Sequence, residues 1–141
     1  MTELVKQTTV KALIEENGKI LMLKDNKGIW ELPGGRIDNN DAKEETLKRE
    51  LKEELDINNV EIGPKIYNFT FEVDCNDSKY QIFVIVCLCK INPSDLKISQ
   101  EHTEMKWINI KKINDYPMRE GYKKAISKYK GEKNRINSDK S

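Results

Sequence analysis

The 141-residue chain is short of three things that would set its class at once: paired cysteines, an excess of charge of one sign, and a long apolar run. Three cysteines cannot all pair internally, which excludes a disulfide scaffold and points to a reduced compartment. Lys and Arg number 25 against 24 Asp and Glu, so the net charge is only +1. That balance excludes a globally basic nucleic-acid binder and a polyacidic tail. The longest apolar run, residues 82–89, falls far short of the roughly 20 residues needed to cross a bilayer. The first residues, Met1-Thr2-Glu3-Leu4-Val5-Lys6, lack the basic-then-apolar order of a signal peptide. A single domain of cytoplasmic type is expected, over residues 1–131, with a polar, frayed tail over 132–141.

What is present reads as mixed strands and helices. Asn17-Gly18 lies between the apolar runs 8–14 and 20–23 and signals a hairpin, since both residues tolerate positive φ. A short strand over 29–32 is expected to break at Pro33-Gly34-Gly35. Leu47, Leu51 and Leu55 repeat every four residues and predict a helix over 43–55. Asp41 stands at the expected N-cap, and Asp56 where a left-handed residue ends a helix. Two longer strands follow, 65–73 and 80–90. The second is apolar enough to be central and covered on both faces. A last strand is expected near Trp107 and a closing helix over 118–130. The elements imply a mixed sheet covered by helices.

The chemistry concentrates between Gly34 and Ile57. On a wheel of ~100° per residue, Glu54, Glu50 and Glu53 fall along one flank of the leucine stripe, with Arg49 just beyond. Three like charges so spaced repel one another, and those bordering the apolar stripe lose hydration as well. A hard divalent cation relieves both effects. The simpler account is a solvated helix with salt bridges, since Glu44–Lys48, Glu45–Arg49 and Arg49–Glu53 are all i, i+4 pairs. It leaves Glu50 and Glu54 without opposite partners at that spacing. It also leaves unexplained the glycine pair feeding the helix, whose bare backbone can come close to a metal or phosphate.

The stretch Gly35-x5-Asp41-x7-Arg49-Glu50-Leu51-x-Glu53-Glu54-x-Asp56-Ile57 resembles the Nudix box, G-x5-E-x7-R-E-U-x-E-E-x-G-U, where U is a bulky aliphatic. Trp30-Glu31-Leu32-Pro33-Gly34-Gly35 before it and Trp107 after it resemble the layout of the same MutT-like family. Asp41 and Asp56 depart from the family's glutamate and glycine. Asp41 either reaches Arg49 in that glutamate's place or serves mainly as a cap.

The resemblance implies an α/β/α sandwich and Mg²⁺- or Mn²⁺-dependent hydrolysis of a nucleoside diphosphate linked to another group. It implies metal ligands at Gly34, Glu50, Glu53 and Glu54, and an orienting role for Arg49. It places the water-activating base at a box glutamate such as Glu53 or Glu50, or in a later loop, where Glu101 is the first candidate and Glu104 the second. Phosphates are expected over Gly34, Gly35 and Arg36. The expected partner is a small nucleotide, with no membrane and no stable nucleic-acid partner; a homodimer is allowed.

The short segment before the first hairpin favours a nucleoside triphosphate over ADP-ribose, a nucleotide sugar or a dinucleoside polyphosphate. A nucleotide-binding module without catalysis is the remaining alternative. His102, the only histidine, reads as a surface residue. Cys87 and Cys89 read as small core residues rather than a zinc pair, and Trp30, Phe69, Phe71, Tyr80 and Phe83 as core packing.

Overall fold

The computed structural model describes residues 3–38, 40–92 and 104–139, with side chains in the last helix described as far as Asn134. The chain forms β1 (Glu3–Glu16), β2 (Lys19–Lys24), β3 (Trp30–Glu31), β4 (Gly34–Arg36), α1 (Lys43–Leu55), β5 (Val60–Cys75), β6 (Ser78–Ile91), β7 (Met105–Asn109), a 3-10 turn (Ile110–Asp115) and α2 (Glu120–Asp139). The sheet is mixed, with helices on both faces.

β1 is its spine. One edge pairs parallel with β6 from Glu3↔Ser78 to Ile14↔Cys89. The other edge changes partner along its length: β4 takes Thr9 to Lys11, and β2 takes Glu15 and Glu16. Between them the Ala12 amide donates to the Pro33 carbonyl at 2.8 Å. This exchange brings the glycine pair beside the middle of β1. The sequence places a chain break at these glycines; the structure places a three-residue strand there instead. The unfilled edge of β1 supplies the backbone partners, so β4 forms without any apolar alternation of its own.

The alternation of side chains divides the core in two. Val10, Ala12 and Ile14 of β1 meet Leu21, Leu23, Cys87, Cys89 and the α1 stripe Leu47, Leu51 and Leu55. Leu13, Ile20, Met22, Val84 and Val86 face the other way, against Tyr122, Ala125 and Ile126 of α2. Trp30 belongs to this second core, edge-on to Tyr116 with ring centroids 5.7 Å apart. β6 lies between β1 and β5, as expected for the apolar strand, but Phe83 is exposed. Its buried residues begin at Val84.

Local signals place the turns and helix ends. Asn17 and Gly18 both take positive φ, 51° and 79°, at the β1–β2 hairpin. Asp56 is left-handed (φ 56°, ψ 30°) and donates its amide to the Leu51 and Lys52 carbonyls, closing α1. α2 runs on to Asp139, beyond the end expected at Lys130. No proline interrupts it, and Gly131 is helical and in open space. Glu15, at the end of β1, pins this helix: it accepts a hydrogen bond from the Tyr129 hydroxyl at 2.8 Å and ion-pairs with Lys133. Burial works against the Glu15 charge, but the bonds from Lys133, Tyr129 and the Gly18 amide hold its carboxyl below the usual range. Cys87 and Cys89 are buried in the α1-side core, and burial pushes the Cys89 thiol up to about 12, so both act as inert apolar residues. No described helix is long and apolar enough to cross a membrane.

Candidate active site

The candidate residues meet where α1 lies against β4. Strand pairing sets Gly34 opposite Lys11, Gly35 opposite Val10 and Arg36 opposite Thr9. Gly34 has φ +145°, and a Cβ there would come within 2.1 Å of the Val10 carbonyl oxygen. Only glycine allows this approach. Its amide donates to Glu54 Oε1 at 3.1 Å. A Cβ on Gly35 would lie 2.5 Å from the Glu50 carboxyl carbon, so Glu50 occupies the space that a side chain at position 35 would need. Each glycine therefore seats one carboxylate, and the two carboxylates stand one helical turn apart.

Their charges are under strain. Burial pushes the Glu54 carboxyl up to about 7, although Lys11 and the Gly34 amide act in the opposite direction. Burial also raises Glu50, and the neighbouring Glu53 charge adds to the effect. Glu53 itself is exposed. Arg49 holds the flank: its Nη1 is 3.4 Å from Asp41 Oδ2 and its Nη2 is 4.0 Å from Glu50 Oε1.

Asp41 thus reaches Arg49, and the expected cap is corrected. The N-cap is Ala42, with no side-chain cap bond, because the Asp41 carboxylate is turned to the arginine instead. Arg36 is exposed and bonds Asp38 Oδ1 at 2.9 Å. Glu104 is ion-paired with Lys24 at 2.7 Å, on the edge of β2. Glu101 and His102 lie outside the described residues.

Among the described residues, no three His, Cys, Asp or Glu side chains converge as a ready-made metal cage. The donors present still suit a hard divalent cation. Mg²⁺ takes oxygen ligands and is commonly held by one or two carboxylates, with waters and substrate phosphates completing the shell. Glu50 and Glu54 supply such a pair, each packed against one glycine of β4.

One residue at this site carries no box signal. Lys11 is 6% exposed, its side chain passes along Gly34, and its ammonium is 3.7 Å from Glu31 Oε1. A lysine inside the apolar run Val10-Lys11-Ala12-Leu13-Ile14 is the sequence feature that could have flagged it.

Residues 5–129 match the NUDIX domain, and the chain belongs to the Nudix family, whose members act on phosphoric anhydride bonds of nucleotides. It is similar to the nucleoside triphosphatase NudI of Escherichia fergusonii, 26% identical over 136 residues that cover 86% of this chain and 95% of that protein. It is 42% identical over 53 residues to the CTP pyrophosphohydrolase of Escherichia coli, covering 34% of this chain and 39% of that one. The crystal structure of a MutT protein from Methanosarcina mazei matches with a TM-score of 0.73 at 25% identity, covering 94% of this chain and 99% of that one.

Proposed function

We propose that this Nudix hydrolase is a divalent-metal-dependent pyrophosphohydrolase of nucleoside triphosphates, with its catalytic unit within residues 1–131. The observation that carries the reading is the seating of Glu54 on the Gly34 amide with Glu50 packed at Gly35. This sets two carboxylates side by side against β4, each held at one glycine, as a pair able to share a divalent cation with a triphosphate. The similarity to a nucleoside triphosphatase over nearly the whole of both chains supports the choice of substrate.

In this reading Glu50 and Glu54, with Glu53 and the Gly34 carbonyl, hold Mg²⁺ or Mn²⁺. A metal held there would neutralise phosphate charge and lower the pKa of a water. Glu54 is kept in one orientation by the Gly34 amide. Arg49, anchored by Asp41, keeps the Glu50 carboxylate facing the glycines. Arg36, at the exposed end of β4, is placed to meet phosphate oxygens by exchanging its partner Asp38. Glu53, hydrated and next to Glu50, and Glu50 itself are the groups available to take the proton from the attacking water. Glu101 remains a candidate for the same task.

The test is product analysis with a panel of nucleoside triphosphates, ADP-ribose, nucleotide sugars and dinucleoside polyphosphates under Mg²⁺ and Mn²⁺. The expected result is nucleoside monophosphate plus pyrophosphate from triphosphates. Cleavage confined to the other compounds would replace the substrate. Binding of nucleotide with no cleavage of any compound would replace catalysis with sensing.

A further inference from the structure

The box carboxylates have a partner outside the box. Lys11 lies in the middle of β1, and its side chain is 8% exposed. It fits there because Gly34 has no side chain: a Cβ at that position would stand 3.0 Å from Lys11 Cδ. Three carboxylates share its field. Glu31 comes from β3 at 3.7 Å, an ion pair too long to be a good hydrogen bond. Glu54 and Glu50 come from α1, and Lys11 acts electrostatically on both. A buried ammonium is costly unless charges of opposite sign compensate it, and here these carboxylates supply that compensation.

We propose that Lys11 is a positioning residue that acts as the resident counter-charge of the carboxylate pair, and thereby weakens and tunes the grip of the pair on a divalent cation. The proposal rests on reading the pair as the divalent site. Without metal, Lys11 eases the ionisation of Glu50 and Glu54, which their burial opposes. A divalent cation held by the pair would lie in the field of the same carboxylates as the Lys11 ammonium, and the two cations would repel each other. Lys11 therefore limits affinity, so the metal is held firmly only when substrate phosphates add their own negative charge. Glu31 sets the balance by drawing the ammonium toward β3.

The test is Mn²⁺ binding followed by the electron paramagnetic resonance signal of the free ion, without nucleotide, at a pH near 8.5 where the carboxylates are ionised. Lys11→Met and Lys11→Gln should bind Mn²⁺ about tenfold tighter than the wild type, as removal of a unit charge several Å from a dication predicts in a partly screened site. Lys11→Arg should restore affinity to near the wild-type value. Glu31→Gln, half-exposed and independent of how the lysine variants fold, should weaken Mn²⁺ binding several-fold. Unchanged affinity in the neutral lysine variants would overturn the proposal, whatever Glu31→Gln does. Glu54→Gln separates it from the reading beneath it. If Glu54→Gln loses Mn²⁺ while Lys11→Met binds like the wild type, Lys11 alone is misassigned; if Glu54→Gln binds Mn²⁺ as the wild type does, both readings fall.

Discussion

Glu54 accepts the amide of Gly34 through Oε1 at 3.1 Å, a bond that joins the first glycine of the pair to the last turn of α1 across 20 residues. It holds a carboxylate that burial has made reluctant to ionise, and it fixes which way that carboxylate faces.

A stability prediction follows from that burial. The Glu54 carboxyl is raised from 4.5 to about 7 in the fold, so the folded state binds its proton more tightly than the unfolded chain. Linkage then makes stability fall as pH rises between those values. Metal-free wild type should lose stability as pH rises from about 4.5 through 7 relative to Glu54→Gln, by roughly 3 kcal/mol. Thermal melts across that range in a chelating buffer check it. Parallel curves for the two proteins would show that Glu54 carries no such penalty.

The two glycines should fail in different ways. Gly34→Ala drives a methyl into the Val10 carbonyl at a φ that alanine rarely adopts, and should destabilise the fold by roughly 3 kcal/mol or more. Gly35→Ala meets first the Glu50 side chain from Cγ outward, a flexible group that can swing aside. It should keep stability within about 1 kcal/mol of wild type while displacing Glu50 and lowering turnover. Denaturant titration and initial rates on the same two variants measure the contrast.

Asp41 is expected to act through Arg49 alone. The pair is exposed and its atoms are 3.4 Å apart, so Asp41→Ala should cost between 0 and about 1 kcal/mol of stability. Turnover should fall in both Asp41→Ala and Asp41→Asn, because neither keeps Arg49 anchored, whereas Asp41→Glu should retain it. A large stability loss in Asp41→Ala with normal turnover would return the residue to capping.

Much of this arrangement is legible in the sequence, and the reasons are local. α1 falls at 43–55 as its leucine spacing predicts, and Asp56 closes it with the positive φ expected at that position. The hairpin at Asn17-Gly18 and the partition of Glu50 and Glu54 to the border of the stripe follow in the same way. β4 was not legible. Gly-Gly-Arg carries no strand pattern, and becomes a strand only because β1 offers it an open edge at Thr9 to Lys11. Lys11 was missed for a related reason: its role depends on Glu31, Glu50 and Glu54 arriving from two other elements. The Asp41 cap was a reasonable local expectation that a longer-range charge, Arg49, overrode.

In the proposed function, the carboxylate seated on Gly34 takes part in cleaving a nucleoside triphosphate. The most direct measurement is the rate of pyrophosphate release from that substrate under saturating Mg²⁺, comparing wild type with Glu54→Gln, with melting curves run alongside to confirm the fold. Glu54→Gln should lose at least about 100-fold in kcat while remaining as stable as the wild type or more so. Turnover by Glu54→Gln within a few-fold of the wild type would contradict it.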